Sequence, residues 1–219
     1  MIILISKNNS WSKHLYNKIL NRQIDVTWLT QYTLDQLEEY KPEYVLFFHW
    51  SEYISEEVFS KLKCISTHTY NLPDGKGGSP LQNQILEGIV QSRVNLIETS
   101  KEIDGGGIYC SNPITLQGTI EDIWHTIASV TSNLVYKVVI NNLKPVKQDQ
   151  GGKIYKRRKT SELIFDNSKD ISYLYKQIQM LDSKEYPRAC LEINGFKLEF
   201  SRASLTDNNI LTDVKISKK

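Results

Sequence analysis

A chain of 219 residues, 40% hydrophobic and 24% charged with a formal net charge of +2, has the composition of an ordinary globular protein. No apolar run approaches the roughly 20 residues a bilayer span requires. The three scattered cysteines, Cys64, Cys110 and Cys190, form no CxxC pair, which speaks against a disulfide framework or a zinc site and for a reducing, cytoplasmic setting.

The opening Met1–Ser6 is apolar but too short for a signal peptide and lacks a basic flank, so it reads as a buried first strand. Asn9-Ser10 can cap a helix from Trp11 to about Leu20, since a short polar side chain satisfies the free N–H groups of a first turn. Ile24–Leu29 follows as a strand, Thr33–Tyr40 as a short helix, and Tyr44–Phe48 as a five-residue apolar run typical of buried parallel strands. Ser55–Leu62 reads as helix and Lys63–Thr67 as strand. Pro80–Glu87 is a helix opened by proline in its first turn and closed by Gly88, the positions those residues favour. Val94–Thr99 and Ile108–Leu116 are two further strands, and Thr119–Val139 is a long helix with Glu121 and Asp122 in its first turn, where acids suit the helix dipole. Strands alternating with helices predict an α/β fold, a Rossmann-like, mostly parallel sheet with helices on both faces. Asn141–Gly152, rich in Asn, Lys, Pro, Gln and Gly, reads as a linker. After it come a basic cluster, a helix over Ile171–Leu181 and strands near Cys190–Ile193, Phe196–Phe200 and Ile210–Ile216. The expected organisation is a catalytic domain over 1–145 and a small α+β region over 146–219. Charge is uneven between them: residues 151–219 hold 14 Lys and Arg against 9 Asp and Glu, a surplus that suits a phosphate-bearing ligand better than RNA.

Two loops concentrate the chemistry. Residues 68–80 (His-Thr-Tyr-Asn-Leu-Pro-Asp-Gly-Lys-Gly-Gly-Ser-Pro) and 101–107 (Lys-Glu-Ile-Asp-Gly-Gly-Gly) hold six of the eleven glycines, the residue that lets backbone approach a ligand closely. Each follows a predicted strand, and ligands of open α/β sheets lie beyond the carboxyl ends of strands, so both loops are expected at that edge. A histidine in one and an aspartate in the other make a base and its orienting acid, although a turn histidine and an ordinary Asp-Gly turn would look the same. The Gly75/Gly77/Gly78 pattern is neither a P-loop nor GxGxxG.

In order along the chain, Ser66-Thr67-His68, Leu72-Pro73, Lys76-Gly77, Pro80-Leu81-Gln82 and Asp104-Gly105-Gly106-Gly107-Ile108, then Pro113-Ile114 and Gly118-Thr119, resemble the formyltransferases that use 10-formyltetrahydrofolate. The tail adds Tyr155-Lys156-Arg157-Arg158-Lys159, Ser161, Ile178-Gln179-Met180-Leu181-Asp182 and Tyr186-Pro187-Arg188-Ala189, which resembles the segment after the catalytic domain in sugar N-formyltransferases. Lys159-Thr160 departs from it where proline is usual, and Gln179 where arginine is. The resemblance implies a catalytic group of His68, Asp104 and Ser66, with His68 as base and Asp104 fixing its tautomer. Ser66 stands where the family carries an asparagine, whose amide donates to the oxyanion; Ser66 itself, a water or a backbone N–H is expected to fill that role, in preference to Asn71. It implies a folate pocket with Phe48, Trp50, Pro80 and Gly105, where Phe47 and Phe48 also read as plain core, Phe47 at least as readily, and His49 can face either way. It implies Lys76, Gly77, Tyr155, Arg157 and Arg158 as substrate-binding residues, the two arginines on phosphate or else on a solvated basic face.

The expected activity is therefore formyl transfer from 10-formyltetrahydrofolate, without a metal, to a nucleotide-linked amino sugar in surface-glycan biosynthesis. Two alternatives stand beside it: methionyl-tRNA formyltransferase, whose longer tail and tRNA phosphates fit the short, mildly basic C-terminus less well, and a folate- or sugar-binding protein disabled by Ser66. A homodimer through the C-terminal strands is a further expectation of the resemblance.

Overall fold

The computed structural model describes residues 1–166 and 168–219, with backbone alone for Thr160 and Ser161; the Ser161 side chain, quoted above for its resemblance, lies outside the described residues. The chain divides into two compact units, one of residues 1–77, 92–114 and 124–154, the other of 78–91, 115–123 and 155–219.

The first unit is built on a six-stranded sheet ordered β2-β1-β3-β4-β6-β7, with β1 Ile2–Ile5, β2 Val26–Leu29, β3 Tyr44–Phe47, β4 Cys64–Thr69, β6 Gln91–Glu98 and β7 Ile108–Thr115; the two-residue β5 (Lys76–Gly77) lies between β4 and β6 in the chain. β1 pairs in parallel with β2 and β3, and β3 in parallel with β4. The expected Rossmann-like, mainly parallel sheet is present, and the apolar runs of β1 and β3 are buried along their whole length, as central parallel strands require. Alternate side chains go to opposite faces: Ile3, Ile5, Val45 and Phe47 pack with Leu37 and Val58 of α2 (Leu34–Tyr40) and α3 (Glu56–Lys61). Ile2, Leu46 and Ile65 face Val135 and Val138 of α5 (Ile120–Asn141). α1 (Ser10–Leu20) is capped as its sequence predicts, Asn9 Oδ1 accepting from the Ser12 N–H at 2.9 Å.

Two expectations change. β4 runs on to Thr69, so His68 sits on the strand and not in the loop behind it. β6 is antiparallel to β4, with Ile65 opposite Glu98 and Thr69 opposite Val94. The loop after β6 therefore leaves beside the beginning of β4, the opposite edge from that expected. The misleading signal was Pro80–Leu86 (α4), which reads as a crossover helix between parallel strands yet belongs to the second unit.

That second unit combines α4, α6 (Ile171–Gln179) and an antiparallel sheet β11-β10-β9 made of Ile210–Lys218, Phe196–Leu205 and Cys190–Ile193; the short β8 (Ile154–Tyr155) falls at the boundary, Ile154 ending a stretch of the first unit and Tyr155 beginning one of the second. α6 packs on both α4 and β10. Gln179 donates to the carbonyls of Leu116 (3.2 Å) and Gly118 (2.8 Å), so the residue that departs from the sugar-enzyme pattern has a structural task. Asp182, nearly buried, binds Arg188 and accepts the Arg202 N–H at 2.6 Å, beside the register shift of β10. Among the described residues no helix is long and apolar enough to cross a membrane, and no group of three or more His, Cys, Asp and Glu could hold a metal ion.

Candidate active site

Ser66 and His68 are two apart on β4 and so project from the same face of the sheet. The strand end that carries His68 is fixed by Asn95 of β6, whose amide donates to the carbonyls of His68 (3.3 Å) and Tyr70 (2.7 Å). Sequence reasoning passed over Asn95, although an amide inside Val94-Asn95-Leu96-Ile97 was its signal: a buried polar group needs partners.

Beyond Glu98 the chain doubles back. The Glu98 N–H binds the Gly107 carbonyl at 2.8 Å, closing an eight-residue excursion at its base. From the level of Ile65 to that of His68 is three residues, about 10 Å along a strand. The excursion covers that distance and places Asp104 Oδ1 at 3.4 Å from His68 Nδ1, long for a hydrogen bond, as unliganded sites often are. Asp104 Oδ2 accepts the Gly77 N–H at 2.9 Å. Asp104 stands at φ +53°, a left-handed conformation that Asp and Asn tolerate better than most residues. The other imidazole nitrogen, Nε2, lies 3.1 Å from the Gly75 carbonyl. Both ring nitrogens thus face oxygen acceptors. Burial alone would push the Asp104 carboxyl up; the hydrogen bond and charge of His68, the Gly77 N–H and the Lys76 ammonium together outweigh it and hold the carboxyl below the usual range.

Close approach explains the glycines. A Cβ on Gly106 would stand 1.8 Å from the Glu98 carbonyl oxygen, and one on Gly75, at φ +75°, would enter the Tyr70 ring. Gly105 lies under the Glu102 side chain. Glu102, quoted within the loop but given no role from sequence, holds the buried Lys76 ammonium at 2.9 Å while itself largely exposed. Ser66 Oγ is 2.8 Å from Thr99 Oγ1, a second partner that sequence reasoning missed.

The remaining candidates fall in different surroundings. Phe48 is fully buried with its ring edge on Trp124, a core position. Trp50 packs against Tyr32 and Phe47, and its indole N–H is buried with no partner among the described residues. His49 turns inward: Trp11 Nε1 donates to its Nδ1 at 3.2 Å, and burial, aided by Lys7, pushes its pKa down to about 4. In the second unit Pro80 opens α4, and the Tyr155 hydroxyl donates to Glu87. The Arg158 guanidinium binds Asn83 (3.0 Å) and Glu162, so it serves this unit's own structure. Arg157 is exposed and passes its main chain against Gly78.

The fold brings a histidine–aspartate pair beside two glycine-rich loops, and comparison with known proteins gives the class. Residues 158–217 match the family model for the methionyl-tRNA formyltransferase C-terminal domain. The chain is 32% identical to a methionyl-tRNA formyltransferase from Clostridium thermocellum of known structure, with a TM-score of 0.93 and 100% of both chains covered. It is 28% identical to the methionyl-tRNA formyltransferase of Malacoplasma penetrans over 80% of this chain and 57% of that one. HypX from Aquifex aeolicus, solved with tetrahydrofolic acid, shares the fold at 22% identity and a TM-score of 0.76, over 92% of this chain and 37% of that one. The chain belongs to the formyltransferase family. It spans about three fifths of the length of the curated relatives it matches first. These findings overturn the expected nucleotide-linked amino sugar: the tail that suggested a sugar enzyme matches the C-terminal domain of methionyl-tRNA formyltransferases, and the relatives at 28% and 32% identity bear that name.

Proposed function

We propose that this chain transfers the formyl group of 10-formyltetrahydrofolate to the amine of an aminoacyl-tRNA, methionyl-tRNA in particular, in the cytoplasm. The observation that carries the reading is the imidazole of His68 held between the Asp104 carboxylate and the Gly75 carbonyl, with the Ser66 hydroxyl two residues upstream on the same face. Residues 146–219 serve the acceptor in this reading, supported by the family match over 158–217.

The folate is a co-substrate that supplies an activated formyl carbon. The residues present fit it: the half-buried rings of Trp50 and Tyr32, backed by the buried Phe47, offer an aromatic face, and the Trp50 indole N–H has no partner among the described residues, the mixture a flat heteroaromatic ring requires. A new C–N bond forms as the amine attacks the formyl carbon, and the bond to the folate nitrogen then breaks. His68 removes the proton from the attacking nitrogen and returns it to the departing one, while Asp104 stabilises the imidazolium in between. Ser66, hydrogen-bonded to Thr99, donates to the oxyanion in place of the family's amide. Lys76 meets acceptor phosphate once Glu102 swings aside.

Purified protein incubated with 10-formyltetrahydrofolate and methionyl-tRNA should yield formylmethionyl-tRNA, and His68→Ala should abolish it. Folate-dependent thermal stabilisation without product on any aminoacyl-tRNA would sink this reading in favour of a binding protein.

A further inference from the structure

We infer that Gln148 is a positioning residue for the His68–Asp104 pair: its side-chain amide, seated on the Asp104 loop, holds Asp104 in the conformation from which its carboxylate meets the imidazole and the Gly77 N–H. The sequence places Gln148 in a linker, but the residue is about nine-tenths buried. Gln148 Nε2 donates to the main-chain carbonyls of Asp104 (2.9 Å) and Gly106 (2.6 Å). One amide thus spans the returning limb of the excursion, on either side of Gly105. Its orientation is forced, because a flipped amide would set its oxygen against two carbonyl oxygens. Gln148 Oε1 is buried with no partner among the described residues, so the hydrogen bonds of this amide are those of its nitrogen.

The chain before and after Gln148 completes the arrangement. Val146 and Ile108 exchange both main-chain hydrogen bonds, at 2.8 and 2.9 Å, and Pro145 lies against Gly107, which anchors Gln148 to the base of the same loop. A few residues on, the Lys153 N–H donates to Asp74 Oδ1 and the Lys153 carbonyl accepts from the Gly75 N–H, each at 2.8 Å. Gly75 carries the carbonyl that faces His68 Nε2. Residues 145–153 therefore fasten the backbone on both sides of the imidazole. Asp104 sits at positive φ, a conformation surrounding structure must hold, and Gln148 is the side chain that does so.

The inference rests on the proposed function only in assuming that turnover passes through His68 and Asp104. Gln148→Met keeps length and bulk but loses both donors, and Gln148→Glu sets an acceptor against the two carbonyls. Hydrogen exchange of the Gly77 amide, protected by Asp104, is expected to quicken by about tenfold or more in Gln148→Met, with the amides of Ile3–Ile5 unchanged, as local and not global opening would give. For the formyl-transfer reaction kcat should fall about tenfold or more with the acceptor KM unchanged, and further in Gln148→Glu. Wild-type exchange at Gly77 in Gln148→Met overturns the inference, as does loss of protection spread equally over Ile3–Ile5. Absence of a cooperative melt in both variants overturns it too, by making the role purely structural. The exchange arm decides the matter even if the native protein forms no product, so failure of the proposed function is told apart from failure of this inference.

Discussion

Asp104→Asn separates the charge of the aspartate from its shape. The asparagine keeps the size of the side chain and tolerates φ +53°. Its Oδ1 can still accept the Gly77 N–H, now 2.9 Å from the carboxylate, and its Nδ2–H then points at His68 Nδ1. That nitrogen must become the acceptor, so the ring proton moves to Nε2, where the Gly75 carbonyl at 3.1 Å accepts it. Every polar group remains satisfied, but the nitrogen that should take a proton already carries one. Loss of a correctly oriented base lowers turnover by about 10² to 10⁴-fold, equivalent to about 2.7–5.5 kcal/mol of barrier. Stability should change much less, by about 1 kcal/mol, or about 2–4 °C in Tm for a chain this size. Single-turnover formyl transfer at pH 7 and a thermal melt test both halves. Turnover of Asp104→Asn within threefold of the native protein would refute the base assignment, and a collapse of Tm would refute the hydrogen-bond bookkeeping.

Asp104→Ala, by contrast, leaves the half-buried Gly77 N–H without its acceptor and should lower Tm. The carboxyl is held below its ordinary value of 3.8, so its stabilising effect is complete above that value and lost as pH falls through the lower folded one. The Tm gap between native protein and Asp104→Ala should hold from pH 7 to pH 5 and narrow only below about pH 4. Ser66→Ala should reduce kcat by about 10²-fold or more, without changing KM for the acceptor, the order expected on removing one oxyanion donor; an unchanged kcat would assign that donor to another group. Lys76→Ala should raise KM for the aminoacyl-tRNA and reduce the salt slope of its binding by about one, with the KM for folate unaltered. Gly106→Ala drives a Cβ to 1.8 Å from the Glu98 carbonyl oxygen and should cost about 3 kcal/mol or more, whereas Gly151→Ala, at φ +94° with open space around it, should cost only about 1–2 kcal/mol of backbone strain; urea denaturation compares the two.

The central strands were legible because Ile2–Ile5 and Tyr44–Phe47 are apolar at every position, a pattern that only burial on both faces explains. His68 and Asp104 stood out because glycines crowd around them, and those glycines prove to mark backbone contacts with the Glu98 carbonyl and the Tyr70 ring. Strand direction was not legible. Val94–Thr99 has the same side-chain alternation whichever way it runs, so its antiparallel pairing with β4 leaves no mark on the pattern. Gln148 was invisible for a related reason: polar residues between Pro145 and Gly152 carry no periodicity, and the carbonyls that Gln148 binds lie more than forty positions away. The acceptor was misread from the tail, where Arg157 and Arg158 suggested a diphosphate; Arg158 is in fact committed to Asn83 and Glu162.

The second unit gathers chain from three separate stretches, 78–91, 115–123 and 155–219, and α4 from the first of them contributes buried Leu81 and Ile85 and packs on α6. A gene fusion that grafted residues 158–217 onto a foreign catalytic domain would thus carry away half of a core and leave the other half behind. A tail exchanged into this chain therefore has to match Pro80–Leu86, and core substitutions in these two distant segments should be coupled in their effect on stability.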